Sequence, residues 1–412
     1  MTAAIARKAN RPPVYLDYQA TTPCDPRVLQ AMLPWFTEKF GNPASITHVY
    51  GREAEAAVER ARGQLAALIH ADPREIVFTS GATEANNLAV KGALRFHKQF
   101  GPNSQGRDHV VTLVTEHKCV LESCRAMVEE GFRATYLPVE PNGLVDLDRL
   151  KAAIEDKTAL VSVMAAHNEI GVIQPLAAIG ALCRARGVLF HTDAAQAVGK
   201  LPIDVDAMSI DLMSISGHKF YGPKGIGALY IRRRPRARIV PLIDGGGQER
   251  GMRSGTLPTP LCVGIGEAAA LAQAAMAEEA SLLLALRQRF LAGIKHALPQ
   301  TRLNGDDEQR LPGNLNLSFP GIPAPALMEA CPGLALSTGS ACTAAEIEPS
   351  FVLRALGLPD DLAAASLRIG LGRFTTQDEV DFAVATLVAA VRHLGETGMT
   401  AAGVTTALAA TT

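Results

Sequence analysis

Runs of apolar residues alternate with amphipathic segments through the first two thirds of the chain. Apolar runs without polar alternation are typical of strands buried on both faces of a sheet. Such runs lie at 76–78, 109–115, 134–139, 159–166, 188–195 and 212–215. Helical periodicity lies between several of them, at 120–130, 147–154 and 179–186. The pattern predicts an α/β fold with a mostly parallel central sheet flanked by helices.

Helices are also predicted before the first of these runs. Asp25 can cap a helix that extends through Phe36, because proline at position 26 suits the first helical turn. Residues 51–69 place alanine, valine and leucine at helical spacing with charges opposite, which predicts a surface helix packed on one face.

The composition changes beyond Thr256, where a second domain is predicted. An alanine- and leucine-rich helical stretch is followed by short strands and by a capping box that opens a last helix. These segments lie at 267–298, 315–319, 334–337, 367–372 and 376–394. We predict a large domain over 29–275, and a smaller α+β domain from 1–28 and 276–412 with a loose tail from about 395.

Composition and charge narrow the function classes. With 412 residues, 48% hydrophobic and 20% charged residues and a net charge of -1, the chain is long enough for about 2 to 3 domains. It is neither a disordered chain nor an electrostatic binder of nucleic acid. No window reaches the roughly 18 uninterrupted apolar residues of a membrane span, and the first 13 residues lack the apolar core of a signal peptide. We expect a soluble, cytoplasmic protein.

The seven cysteines are odd in number and never spaced C-x-x-C. This spacing argues against a disulfide framework and against a cysteine zinc site. For most of them we expect the role of a small buried hydrophobic residue.

Polar side chains follow several of the predicted strands. The ends carry Glu116 and His117, then His167 and Asn168, then Asp193 and Gln196, and finally Ser216, His218 and Lys219. Each taken singly is more often a cap, a turn residue or a surface group. Because ligands bind beyond the carboxyl ends of parallel strands, their joint occurrence favours one binding site. A lysine between glycines at the end of a strand suits a Schiff base with a cofactor.

The segment after the strand at 76–78 has a second possible role. A Thr-Ser-Gly turn leads into a helix near Thr83, and the free N–H groups of a helix N-terminus favour a phosphate. Thr83 as a plain helix cap explains the same residues equally well.

Motifs along the chain resemble those of the cysteine desulfurases, pyridoxal-phosphate enzymes of fold type I in the class-V aminotransferase group. The similar segments, from Val14 to about Leu394, are LDYQATTP, GNPAS, EIVFTSGATEANNLA, TEHKCVL, NEIGV, SGHKFYGPKGIGALY, GGGQERGMRSGT and STGSACT. The resemblance implies the fold of a pyridoxal-phosphate-dependent transferase with a mostly parallel sheet.

The resemblance also implies roles for individual residues. Lys219 would hold pyridoxal 5'-phosphate covalently, Asp193 would pair with its ring nitrogen and Gln196 with its ring hydroxyl. His117 would stack on the ring and assist proton transfer. Phosphate would be held by Ala82, Thr83, Ser216 and His218, and by Thr256 from the neighbouring subunit of a homodimer. Asn168 and Arg368 would grip the substrate carboxylate, for which the fork of arginine is well suited.

Cys342 directs the implied chemistry toward sulfur. It lies in a run of small polar residues, where we expect an exposed, mobile thiol. The matching family cysteine attacks the sulfur of substrate cysteine as a thiolate, keeps it as a persulfide and releases alanine. An incidental loop thiol is the alternative. No resident metal is expected, and Cys342 would contact an iron–sulfur cluster only transiently.

Two positions depart from the family pattern, and the acceptor stays open. His167 stands where asparagine is common, which could change the polarity on the substrate side, and Ala195 stands where threonine is common. The segment after Cys342 keeps the length of the long-loop subgroup that donates sulfur to proteins. The C-terminal tail does not resemble the segment that docks an iron–sulfur scaffold protein.

We therefore predict a homodimeric cysteine desulfurase that converts L-cysteine to L-alanine. It would pass persulfide sulfur to acceptor proteins, such as an iron–sulfur scaffold protein, for cluster assembly or tRNA thiolation. The alternatives are a selenocysteine lyase and a non-catalytic sulfur-relay or interaction protein on the same fold.

Overall fold

The structure is a computed structural model that describes residues 12–100, 106–338 and 349–397. It divides into two compact units. The larger unit comprises Thr21–Ala280 and Asp306–Leu311, and the smaller comprises Met1–Ala20, Ser281–Gly305 and Pro312–Thr412.

The strands and helices of both units are numbered together along the chain. The strands in chain order are β1 (Val14–Tyr15), β2 (Ile76–Thr79), β3 (His109–Leu113), β4 (Arg133–Leu137), β5 (Thr158–Ser162), β6 (Leu189–Asp193), β7 (Leu212–Ser216), β8 (Gly227–Ile231), β9 (Arg302–Leu303), β10 (Asn314–Ser318), β11 (Leu334–Ala335) and β12 (Ser366–Gly370). The α-helices are α1 (Pro26–Met32), α2 (Pro34–Thr37), α3 (Val49–Leu68), α4 (Ala82–Phe100), α5 (Lys118–Glu129), α6 (Leu147–Ala153), α7 (Leu176–Ala185), α8 (Thr259–Ala297), α9 (Ala324–Glu329), α10 (Phe351–Ala355), α11 (Asp360–Ala364) and α12 (Gln377–Glu396).

The larger unit is built on a seven-stranded sheet with the order β2-β8-β7-β6-β5-β3-β4. Strand β8 is antiparallel to its neighbours β7 and β2, and the other pairs are parallel. Strands β2, β3, β5 and β7 are buried along their whole length, as expected for a sheet covered on both faces. This architecture confirms the predicted α/β fold.

The direction of the strands positions the candidate site. Since β2 is antiparallel to β8, and β8 to β7, β2 runs in the same direction as β3, β5, β6 and β7. The loops that follow these strands therefore leave from one edge of the sheet. One apolar cluster, which includes Leu88, Val110, Val120 and Leu160, packs α4 and α5 against the sheet.

The smaller unit has a core of its own. Strand β10 pairs in antiparallel fashion with β12 and β9, and β1 pairs in parallel with β11. Phe290, Leu317, Ile369 and Leu387 lie in its buried apolar cluster. The last helix, α12, begins with the predicted capping box, in which Thr376 and Glu379 each bond the other's backbone N–H.

Two helices differ from the sequence prediction. The first predicted helix is divided, because Pro34 has no N–H to continue α1 and instead opens α2. The alanine-rich helix α8 begins at Thr259, earlier than predicted, and has 39 residues. Among the described residues it is the one helix long and apolar enough to cross a membrane. Its Leu286, Phe290 and Ile294 lie in the apolar core of the smaller unit.

Candidate active site

Five loops at the carboxyl edge of the large sheet carry most of the residues that the sequence singled out. They follow β2 (Ala82 and Thr83), β3 (His117), β5 (Asn168), β6 (Asp193 and Gln196) and β7 (Ser216, His218 and Lys219). The expected grouping of these residues at one sheet edge thus follows from the strand directions.

Asp193 is the last residue of β6 and its carboxylate is held at both oxygens. Its side chain accepts a hydrogen bond from the Asn86 amide at 2.7 Å and another from the backbone N–H of Ala195 at 3.0 Å. The residue is 6% exposed. Two donors fix the orientation of this carboxylate in a nearly dry environment, where each charge-assisted bond is stronger than at the surface.

His117 lies between the sheet edge and the start of α5. Its Nδ1 accepts the backbone N–H of Cys119 at 3.2 Å and lies 3.0 Å from the Cys119 thiol, so in the neutral ring the proton is on Nε2. Burial lowers the pKa of His117; Asp193 opposes this effect, whereas Lys219 and Lys118 add to it. The histidine is therefore neutral at pH 7, with a donating Nε2 in the electrostatic field of Asp193 and Lys219.

Lys219 ends a short 3₁₀ turn, Gly217–Lys219, directly after β7. The turn is anchored to the Thr-Thr segment near the start of the larger unit. The Thr22 hydroxyl donates to the His218 carbonyl at 3.0 Å, and His218 Nδ1 lies 3.0 Å from the Thr21 hydroxyl. Glycine is required at 222, because a Cβ there would lie 2.8 Å from the Gly217 carbonyl oxygen. These contacts hold the lysine on a rigid strand end.

His218 is held in its neutral form beside this lysine. Burial lowers the pKa of His218 to about 4, and Lys219, Lys224 and Lys200 add to the effect. At pH 7 His218 is therefore a neutral hydrogen-bonding group, and a bound anion would meet the charge of the neighbouring lysines.

The turn between β2 and α4 provides backbone donors. Helix α4 begins at Ala82, so Ala82 and Thr83 lie in its first turn, where N–H groups have no acceptor within the helix. Thr83 is thus inside the helix and is not its cap. Gly227 of β8 lets this turn approach, since a Cβ on it would lie 2.6 Å from the Gly81 Cα. The side chain of Ser216 lies on the same side, its Oγ 4.0 Å from the position of a Gly81 Cβ.

The other singled-out residues of the larger unit differ in exposure. Gln196 is buried and accepts a hydrogen bond from Lys200 at 2.9 Å. Asn168 is half-buried, and Thr256 is exposed. The ring of His167 is buried and bonds backbone groups: Nε2 donates to the Thr115 carbonyl at 2.8 Å and Nδ1 accepts the Glu169 N–H at 3.0 Å. His167 therefore ties the loops after β3 and β5 together.

Arg368 belongs to the smaller unit. It lies on β12, is 2% exposed, and its guanidinium donates to Asp17 at 2.7 Å and to the Ser337 hydroxyl at 3.3 Å. Asp17 thus orients one side of the guanidinium. Cys342 lies outside the described residues.

Sequence reasoning missed Asn86 and Glu84, two polar residues of α4. Asn86 is fully buried and donates to both Asp193 and Cys119. Glu84 bonds Arg253 and the backbone of Ser80. The available signal was a polar residue in the apolar stripe of a helix, since Asn86 lies between Ala85 and Leu88 on the buried face.

Comparison with known proteins identifies the family to which the chain belongs. The model of the family Aminotransferase class-V matches residues 14–382. Cysteine desulfurase IscS of Rickettsia felis is 57% identical over 384 residues, which cover 93% of this chain and 92% of that protein. The chain therefore belongs to the class-V aminotransferase family and, within it, to the cysteine desulfurases, as the motifs predicted.

Solved structures agree with this assignment. A NifS-like protein is 35% identical with a TM-score of 0.85, covering 93% of this chain and all of its own (100%). A structure of SspA in complex with cysteine is 38% identical with a TM-score of 0.75, covering 88% of this chain and 100% of its own.

Proposed function

We propose that this protein is a pyridoxal-phosphate-dependent cysteine desulfurase that converts L-cysteine to L-alanine and retains the sulfur as a persulfide on Cys342. The observation that carries the proposal is the meeting of Asp193, His117 and Lys219 at one sheet edge, in a chain of the cysteine desulfurase group. The cysteine complex of the related SspA supports the substrate.

The donor set of this edge suits pyridoxal phosphate. Asp193, held by two donors, supplies a fixed carboxylate for a pyridinium nitrogen, and the neutral ring of His117 supplies a stacking surface. Free N–H groups at Ala82 and Thr83, with Ser216 and His218, suit a phosphate. Gln196 would bond the ring hydroxyl, and Lys219 would hold the group covalently. When bound, this cofactor supplies an electron sink that stabilises negative charge at the substrate α-carbon.

The chain's own residues would then bind the amino acid and move protons. Arg368 and Asn168 would hold the carboxylate of cysteine, with Asp17 orienting the arginine. The amine of Lys219 would take the proton from the α-carbon and return a proton during alanine formation. His117 is placed to donate from Nε2, because Nδ1 is occupied by the Cys119 N–H.

Cys342 would provide the nucleophile. Its thiolate attacks the substrate sulfur, a sulfur–sulfur bond forms, the carbon–sulfur bond breaks, and the electron pair of that bond remains on the carbon that becomes the alanine methyl group. The persulfide then passes to an acceptor protein, and iron–sulfur cluster assembly is the use we propose for it.

We also propose that the enzyme is a soluble cytoplasmic homodimer. A row of exposed apolar residues near the start of the larger unit supports the dimer, because such patches mark interfaces. Its members are Leu29, Leu33, Phe36, Phe40, Ile46, Val49 and Tyr50. The exposed Thr256 would reach the phosphate in the partner subunit. Sedimentation equilibrium at twice the 43.5 kDa chain mass would support this state, and a monomer would contradict it.

Two variants test the assignment. Cys342→Ala is expected to lose alanine formation from cysteine while it keeps the visible absorbance of the bound cofactor. Lys219→Ala is expected to lose that absorbance in the resting enzyme. Normal turnover by Cys342→Ala would remove the assigned nucleophile, and an unchanged spectrum of Lys219→Ala would remove the covalent attachment.

A further inference from the structure

The segment 248–256 is attached to β2 by buried charged groups and to the start of α4 by a partly exposed ion pair, none of which the mechanism above uses. Glu249 forms an ion pair with Arg62, with atoms 2.7 Å apart and side chains 1% and 3% exposed. The same carboxylate accepts the backbone N–H of Phe78 in β2 at 2.6 Å. Arg62 also donates to the Ile76 carbonyl at 2.8 Å. The pair therefore joins α3, β2 and segment 248–256.

The backbone of this segment has an unusual conformation at the point of attachment. Glu249 and Arg250 have φ of 50° and 57°, and Gly251 follows at 78°. Non-glycine residues in this region cost about 1–2 kcal/mol each, so other contacts must outweigh the cost. The Arg250 guanidinium donates to the Ile76 carbonyl at 2.6 Å, which adds a second bond from the segment to β2.

A third attachment lies at the turn itself. Arg253 pairs with Glu84 in the first turn of α4, with Nε 2.9 Å from one carboxylate oxygen and the second guanidinium nitrogen 3.4 Å from the other. The Glu84 carboxylate also accepts the Ser80 N–H at 2.8 Å. One carboxylate thus joins the turn before the helix, the helix itself and segment 248–256.

The charge of Glu84 suits the N-terminus of α4, but it would oppose a phosphate bound at the same turn. Ser80 to Thr83 form the turn that the proposed function assigns to a phosphate, and an additional anion beside a phosphate is repelled. Burial raises the pKa of Glu84, but hydrogen bonds from Arg253 and Ser80 outweigh it and hold the pKa below its ordinary value. The carboxylate therefore stays ionised, and Arg253 neutralises it.

We propose that Glu84 and Arg253 form a positioning pair that holds the backbone donors of the Ser80–Thr83 turn in register for the cofactor phosphate. The inference rests on the proposed function. The same pair also restrains the loop that carries Thr256, because the Gly255 N–H donates to the Gln248 side chain at 2.9 Å within this anchored segment. The Glu84–Arg253 pair thus joins the two segments to which the proposed function assigns phosphate contacts, in addition to the Arg62–Glu249 pair that attaches the second segment to β2.

Cofactor binding to the apoenzyme tests the pair without any turnover. We expect Glu84→Gln and Arg253→Gln each to weaken binding of pyridoxal 5'-phosphate about 10-fold, and the double variant to bind like the weaker single variant. Electrostatics alone predicts the reverse for Glu84→Gln, since it removes an anion near the phosphate. Affinity would be measured by absorbance titration, and the environment of the bound phosphate by its ³¹P chemical shift.

Binding of pyridoxal, which lacks the phosphate, distinguishes a specific loss of phosphate contacts from a general disruption of the site. Its affinity is expected to stay within about 2-fold in all variants, because positioning acts only on the phosphate. If one of the glutamine variants fails to fold, Arg253→Lys keeps the charge without the two-pronged contact and gives an intermediate loss. The matched control is Glu130→Gln, which removes the exposed pair with Arg95 near the other end of α4 and should change little.

The outcomes are distinguishable. Three results would each overturn the positioning role. They are unchanged or tighter binding of pyridoxal 5'-phosphate by Glu84→Gln, a loss of affinity in the double variant equal to the product of the two single losses, and a loss of affinity for pyridoxal as large as that for pyridoxal 5'-phosphate. A wild-type protein that binds no pyridoxal 5'-phosphate would overturn the proposed function, and the pair with it.

Discussion

Two buried carboxyl groups lie at the same edge of the large sheet, at the ends of β6 and β3 with β5 between them, and they have different hydrogen-bond partners. Asp193, after β6, has a donor for each oxygen, Asn86 on one side and Ala195 on the other. Glu116, after β3, has one donor, the Met164 N–H at 2.7 Å, and its second oxygen has no hydrogen-bond partner among the described residues.

The difference lies in the hydrogen-bond donors, since both side chains are buried. Burial raises the pKa of Glu116 well above its ordinary value; the Met164 bond opposes this rise and the charge of Asp193 adds to it. The Glu116 carboxyl therefore favours its protonated form more strongly than an exposed glutamate does, and it contacts the backbone of the next loop. Asp193 is surrounded by groups that stabilise negative charge, as its proposed pairing with a pyridinium nitrogen requires.

The strongest test of this comparison removes the charge of Asp193. Asp193→Asn keeps the shape and an acceptor for Ala195, but it eliminates the anion beneath the proposed cofactor ring. We expect the rate of alanine formation from cysteine to fall about 10²–10³-fold, together with a lower midpoint of thermal unfolding, because the new amide places a donor opposite the Asn86 amide. A variant with near wild-type rate would show that the charge is not needed.

Removal of the Glu116 side chain should instead affect stability. Glu116→Ala leaves the buried Met164 N–H without an acceptor and opens a cavity, so we expect a loss of about 2–4 kcal/mol in the free energy of unfolding. Urea denaturation measures it. Glu122→Ala, an exposed glutamate on α5, is the control and should lose much less. Equal losses in the two variants would contradict the buried contact.

Asn86→Ala removes one of the two hydrogen-bond donors of Asp193, which makes the surroundings of this carboxylate more like those of Glu116. It leaves the carboxylate with a single backbone donor, and a hydrogen bond to a charged group contributes about 1.5–3 kcal/mol. We expect roughly a 10-fold fall in the rate of alanine formation. Asn87→Ala is the neighbouring control, because its amide donates to the Thr83 carbonyl on the exposed side of α4. A larger fall in the rate of alanine formation for Asn87→Ala than for Asn86→Ala would contradict the role of the Asn86 hydrogen bond.

The last expected effect is a difference in the pH dependence of stability. Because the pKa of Glu116 is raised in the folded state, this group binds a proton more strongly in the folded protein than in the unfolded chain. Its contribution to stability therefore falls as pH rises, by at most about 1.4 kcal/mol per pH unit. Glu116→Gln cannot ionise, so its stability relative to wild type should increase between pH 5 and pH 7. A difference that is constant with pH would show that Glu116 is ionised when folded.

Local patterns were sufficient for much of the architecture. The uninterrupted apolar runs at β3 and β5 identified buried strands, and the capping box at Thr376 identified the start of α12. The sequence pattern predicted one helix through Phe36, but the missing N–H of Pro34 divides it into α1 and α2. Polar residues at the ends of successive strands predicted one site for Asp193 and Lys219, because parallel strands end at the same edge of a sheet.

The sequence by itself determined the fold class, the family and the candidate chemistry, since these depend on short-range periodicity and on motifs of adjacent residues. Only the tertiary structure decided which buried groups have partners. Asn86 reaches Asp193 across 107 positions of sequence, and Arg253 reaches Glu84 across 169. Contacts this distant leave no local pattern, because they depend on how strands and helices pack rather than on any one segment. For the same reason, the different surroundings of Glu116 and Asp193 become visible only in the folded sheet.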